Sequence, residues 1–212
     1  MDIYNNDDEQ VAAIKRWWQQ NAKSVVLGIS VGVGLIVGWQ AWQTHQRNAG
    51  IAASAAFAQV QSAVADRQAA PIISAAEHVI EHHPGSVYAV LAGRQAAKQA
   101  YLQGDKAAAR TYLENALQAA DHPSVQAAVR LQLATVLLDL QAWQAADAVL
   151  DAEVDDAFAA EFATLRGDLA FHQGDAEAAY AAYQQAATLG GNAFLDMKIA
   201  ALQPASESED VR

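Results

Sequence analysis

Between Ser24 and Thr44 the chain reads SVVLGISVGVGLIVGWQAWQT, 21 residues without an ionisable side chain. A helix this apolar on every face must be enclosed by protein or by lipid. A core helix in a chain of 212 residues is rarely apolar all round over such a length, so the segment is expected to cross a membrane. From Val25 to Trp42 it would run 18 residues, roughly 27 Å at about 1.5 Å per residue, against the ~30 Å of bilayer hydrocarbon. Trp17 and Trp18 precede the run, and Trp39 and Trp42 end it. Four of the five tryptophans thus fall where amphipathic rings favour the headgroup boundary.

Lys15, Arg16 and Lys23 stand before the span, and Arg47 alone stands in the comparable stretch after it. The positive-inside rule therefore keeps the amino terminus in the cytoplasm. A cleaved secretory signal is the rival reading, with small residues from Ala49 to Ala58 available for processing. However, the 23 residues ahead of the run carry Asp2, Asp7, Asp8 and Glu9, whereas a signal peptide starts on a short basic stretch. The expectation is an uncleaved signal anchor with the carboxyl-terminal part exported. Residues 1–23 form a cytoplasmic amphipathic segment with Val11, Ile14 and Trp18 on one helical face, and residues 24–44 form the span. Residues 45–202 form the exported domain and 203–212 a disordered tail. A second uncharged run, Asn48 to Ala65, contains Asn48, Ser54, Gln59, Gln61 and Ser62 and is expected to be an exported amphipathic helix. Within the span, Gly28 with Gly32 and Gly34 with Gly38 are small-xxx-small pairs that allow a second helix to approach, although glycine is also common in membrane helices generally.

The exported part is rich in alanine, which makes up 51 of the 212 residues of the chain, and it falls into helical patterns at a regular spacing. Ala97, Tyr101, Gly104-Asp105, Ala109, Leu113 and Ala116 follow the order of a tetratricopeptide hairpin. Gly167, Phe171, Gly174-Asp175, Ala179, Tyr183 and Ala186 repeat it. Between them Ala134, Leu138, Ala146 and Leu150 keep the register, with Gln141-Ala142 in place of Gly-Asp. The turns are offset by 37 and 33 residues, near the ~34 of this repeat class. A first, more degenerate pair is expected near Ile51 to Ala65 and Pro71 to His82, closed by Pro84-Gly85, and Ala193 to Leu202 is expected to cap the array. The fold class is therefore all-α: a single transmembrane helix followed by a tetratricopeptide-like α-solenoid. A generic alanine-rich bundle is the alternative.

Such repeats line a concave groove with their first helices. Arg94, Lys98 and Tyr101 are expected there from one unit, Leu131, Thr135 and Leu138 from the next, and Thr164, Asp168, Phe171 and His172 from the last. The mixture suits extended peptide, with aromatics for apolar side chains and Arg94 with Lys98 for a carboxylate. An ordinary solvated surface with local ion pairs is the competing reading. The two-lysine carboxylate clamp of cytosolic co-chaperone repeats is not reproduced.

Other chemistries find little support. Thirteen Lys and Arg against 24 Asp and Glu give a net charge of -11, which repels a phosphate backbone, so no nucleic-acid partner is expected. The absence of cysteine excludes disulfides and thiolate chemistry. No Gly-rich phosphate loop or nucleophile elbow is present, and no cofactor is expected. His78, Glu81 and His82 spell H-x-x-E-H, the inverted zinc-peptidase pattern. Yet the segment is short, is ended by Pro84, and has no second motif for a further ligand; histidines at a helix carboxyl end also interact favourably with the dipole without metal. Asp151, Glu153, Asp155 and Asp156 are expected to be solvated loop charge.

The opening stretch combines an acidic cluster before EQV, then IKRWW, then a glycine-spaced span closing on GWQAWQ. In these features it resembles the YfgM-type family of ancillary subunits of the bacterial Sec translocon. Ala22 stands where relatives are expected to carry glycine. The resemblance implies a single-pass inner-membrane protein facing the periplasm, without enzymatic activity. It also implies partners: the SecYEG translocon, a membrane-anchored periplasmic chaperone of the prolyl-isomerase type, and newly exported client proteins, all beside the lipid bilayer. Two alternatives stand against it. One is an envelope-assembly scaffold of the same architecture that does not touch the translocon, and the other is a zinc hydrolase at the histidine cluster.

Overall fold

The apolar run lies in one helix, α1 (Tyr4–Ala65), in a computed structural model that describes residues 4–67, 69–152, 156–190 and 193–202. The tail 203–212, and Glu153 and Asp155 of the acidic run, lie outside the described residues. The sequence divides this region into an amphipathic segment, a span and an exported helix, whereas the structure runs all three as one element. No proline occurs before Pro71, and glycine in a helix interior costs only about 1 kcal/mol relative to alanine, so no residue here forces a break. Among the described residues one helix is long and apolar enough to cross a membrane. It lies within Ile14–Ala65, and no residue of its apolar window is buried. The glycines of both small-residue pairs meet nothing within 4 Å of an added Cβ.

The chain separates into two compact units, Met1–Ile51 and Ala52–Arg212. The second consists of the end of α1 followed by α2 (Ala69–His82), α3 (Val87–Leu102), α4 (Lys106–Ala119), α5 (Pro123–Asp139), α6 (Trp143–Leu150), a 3-10 turn (Asp156–Phe158), α7 (Ala159–His172), α8 (Ala176–Gly190) and α9 (Ala193–Leu202). The described residues of both units are helices joined by turns and short loops, with no strand among them. Each helix of the second unit packs on its neighbour in sequence, which is how repeat arrays bury a core with mostly local contacts.

The three hairpin turns share one backbone. In the first, Gly104 N–H donates to Tyr101 O (2.9 Å) and Asp105 N–H to Ala100 O (2.9 Å), the paired bonds of a Schellman motif. Gly174 and Asp175 make the same pair with Phe171 O and Ala170 O, and Gln141 and Ala142 with Leu138 O and Leu137 O. The residue after the cap is left-handed each time, with φ 86° at Gly104, 84° at Gly174 and 56° at Gln141. Asp105 and Asp175 then cap the following helix, accepting at 2.9 Å from Ala108 N–H and Ala178 N–H. Ala142 occupies the same position and has no side chain that can do so. The middle turn is therefore the same device with both favourable residues missing. Gln141→Gly with Ala142→Asp is expected to stabilise the domain by about 2 kcal/mol, roughly 1 from relief of the left-handed side chain and 1 from the new cap. A higher midpoint in urea unfolding at unchanged slope is the measurement.

Small residues set the close approaches inside each hairpin. A Cβ on Gly93 of α3 would lie 3.2 Å from the Ala116 Cβ of α4, and one on Gly167 of α7 would collide with the ring of Tyr183 on α8. Most of the buried residues fall into three clusters. One joins the end of α1, α2 and α3 around Phe57, Val60 and Val79. The largest runs from α3 to α7 around Leu113, Leu133, Leu137, Leu150 and Phe162. The third joins α7, α8 and α9 around Tyr183 and Leu195.

Candidate protein-binding groove

The first helices of successive hairpins, α3, α5 and α7, provide the surface on which the groove was expected. Two side-chain bonds tie α3 to α5 at the same sequence separation. Arg94 Nε donates to Gln132 Oε1 at 2.8 Å, and the Tyr101 hydroxyl donates to Asp139 Oδ2. Lys106 Nζ lies 3.2 Å from the same Asp139 oxygen. The Tyr101 hydroxyl bond holds the Asp139 carboxyl below its ordinary value, with Lys106 adding to the effect against a smaller opposing cost of burial. The same bond, with burial and the carboxylate charge, pushes Tyr101 up.

Between these two bonds lies a cleft of about 140 Å³ lined by Ala97, Lys98, Tyr101, Leu113, Thr135 and Val136 together with Arg94 and Gln132. Its walls are mainly apolar. A second hollow, bounded by Phe57, Leu91 and Gln95, shares Arg94, Lys98 and Gln132 with it and extends it towards the end of α1. Of the ten expected groove residues, Arg94, Lys98, Tyr101 and Thr135 thus meet in one place. Asp168, Phe171 and His172 meet in a separate cleft with Tyr183 and Lys198. There Asp168 accepts from the Tyr183 hydroxyl at 2.6 Å and pairs with Lys198. Burial and that bond raise Tyr183 well above the ordinary tyrosine value. The His172 ring stacks on Trp143 at 5.4 Å.

Three expected residues stand elsewhere. Leu138 is buried in the main cluster, Leu131 packs against that cluster half-buried, and the half-buried Thr164 uses its hydroxyl on Ala160 O at 2.8 Å. Gln132, Val136 and Lys198 were not expected at the surface clefts. Gln132 stands three residues before Thr135, and Val136 stands four after Gln132 and three before Asp139, so both follow from helical spacing once Asp139 rather than Leu138 is placed on that face. Lys198 is the only cation in Ala193–Leu202, but nothing local says that it reaches back to α7.

On the outer side, the Tyr112 hydroxyl of α4 donates to Glu77 Oε1 of α2 at 2.6 Å. Burial, then this bond, pushes Tyr112 up from 10.0 to about 12. A raised folded value means that this contribution to stability is complete below pH 10.0 and lost as pH climbs through about 12. Tyr112→Phe is therefore expected to lower stability at neutral pH and to make the decline over that window shallower, as read by urea midpoints across the alkaline range. On the same α2, His78 and His82 stack at 4.3 Å, His82 Nδ1 faces His78 O at 3.0 Å, and Glu81 is exposed. Among the described residues no group of three or more potential metal ligands is assembled.

Residues 15–204 match the family model described as tetratricopeptide repeat-like domain. The ancillary SecYEG translocon subunit of Escherichia coli K12 is 30% identical over 184 residues, covering 87% of this chain and 88% of that protein. The chain belongs to the ancillary SecYEG translocon subunit family. The subunits of that name from Haemophilus influenzae and Aggregatibacter actinomycetemcomitans are likewise 30% identical, over 87% and 85% of this chain and 90% and 88% of theirs. The match to the family model takes in the apolar run as well as the repeats, so the two parts of the chain are shared together. Membership in a family of ancillary subunits agrees with the reading of a chain without enzymatic activity.

Proposed function

We propose that this chain is an accessory subunit of the SecYEG translocon, anchored in the inner membrane by the apolar run of α1, with its repeat domain in the periplasm. The observation that carries the proposal is similarity over 87% of the chain to a protein named for that role, with an exposed apolar helix at the matching end. The excess of Lys15, Arg16 and Lys23 over Arg47 supports a cytoplasmic amino terminus. In this reading the groove along α3, α5 and α7 binds protein segments, and the partners are the translocon, a membrane-anchored prolyl-isomerase-type chaperone and newly exported chains. Tethering raises the local concentration of such segments, so contacts of modest affinity suffice. Affinity purification of the full chain from membranes in mild detergent is the test. Co-recovery of translocon components is expected, and their consistent absence would overturn the role.

A further inference from the structure

The cleft between α3 and α5 runs against the net charge of the chain. The chain carries 24 acidic against 13 basic residues, yet the linings of the cleft and of the hollow that extends it contain Arg94, Lys98 and no carboxylate. Neither cation is ion-paired among the described residues. The bond from Arg94 Nε to Gln132 restrains the guanidinium at the edge of the cleft without using its two terminal nitrogens, and a restrained planar fork favours bidentate carboxylate binding. The nearest acid on these helices, Asp139, is already taken up by Tyr101 and Lys106, so it does not neutralise the pair. The cleft at Asp168 contrasts with this, because its acid and its lysine satisfy one another.

Beside the two cations the floor is apolar, formed by Ala97, Leu113 and Val136 with the Tyr101 ring at one end. Its volume of about 140 Å³ is close to the ~150 Å³ of an engineered apolar cavity that holds a benzene ring. We propose that this cleft takes an extended segment of another protein in which a bulky apolar side chain stands next to Glu or Asp. The apolar side chain fills the floor and the carboxylate sits between Arg94 and Lys98. The inference rests on the reading of the groove as a protein-binding surface and adds the chemistry of what enters it.

The test uses the full chain in detergent, fluorescence anisotropy at low salt, and short labelled peptides in a Gly/Ser context with a Phe-Glu-Asp, Phe-Gln-Asn or Ala-Glu-Asp core. The first is expected to bind about tenfold more tightly than either of the others. Arg94→Gln with Lys98→Gln is expected to abolish the preference for acid over amide while circular dichroism still reports a folded helical domain, and Lys98→Gln alone, which keeps the Arg94–Gln132 bond, is expected to weaken that preference. Equal affinity for Phe-Glu-Asp and Phe-Gln-Asn would overturn the inference and leave the accessory role standing, because that role is read independently by co-purification. Binding of none of the peptides would overturn it as well. The chain's own carboxyl-terminal SESEDVR is acidic too. If Glu207→Gln, Glu209→Gln and Asp210→Asn together tightened peptide binding severalfold, the cleft would belong to that tail and the assignment to another protein would fall.

Discussion

Replacing Val33 and Ile36 together by aspartate is expected to move the full-length chain from the carbonate-resistant membrane fraction to the soluble one. On insertion scales an aliphatic residue at the centre of a span contributes about -0.3 to -0.6 kcal/mol and an aspartate about +2.5 to +3.5. Two replacements therefore cost roughly 6–8 kcal/mol, about four to six decades in partition. Both side chains are more than half exposed, so the substitutions remove no packing among the described residues. Circular dichroism of the released protein should still report a folded helical domain. That pairing of results separates a membrane span from a core helix, for which the same substitutions would unfold the domain. The replacement of both residues by leucine is the matched control and should leave attachment unchanged.

Phe162→Ala is expected to destabilise the repeat domain by about 3–5 kcal/mol, the usual range for a buried phenylalanine that leaves a cavity. For a domain of this size the melting temperature should fall by roughly 12 °C. Phe162 is fully buried and is among the largest such side chains in the domain. It comes from α7 but packs in the cluster that runs back through α5 and α6, whereas its neighbour Ala163 belongs to the cluster shared with α8 and α9. The substitution therefore weakens the seam between the second and third hairpins in particular. Unfolding followed by a probe on α8 should begin earlier than unfolding followed by a probe on α3. Coincident transitions of unchanged midpoint would contradict this account of the seam.

The hairpins were legible because their turns demand particular chemistry. A left-handed residue followed by a helix cap selects Gly-Asp, and two copies in similar surroundings gave the repeat and its boundaries. The middle turn shows how such a signal fades. Gln141-Ala142 keeps the hydrogen bonds and the positive φ while losing both diagnostic side chains, so only the flanking alanines and leucines marked it. The groove was legible in part. Arg94, Lys98, Tyr101 and Thr135 converge as their helical spacing implies. Leu138 fails because, relative to Thr135, a step of three residues turns about 60° one way and a step of four turns about 40° the other. Asp139 continues the open face, and Leu138 rotates into the core. Lys198 was illegible for a different reason. Its contact with Asp168 spans 30 residues and depends on how the last helix folds back, which no local pattern encodes.

The separation of the buried side chains into three groups rather than one has a mechanical consequence. Each group is held together by helices adjacent in the chain, so the array behaves as a row of coupled cells, and the outermost can open while the middle stays intact. A pull applied at α9 would be absorbed by the loss of the outermost cell, leaving undisturbed the Arg94 and Lys98 cleft, whose floor belongs to the middle one.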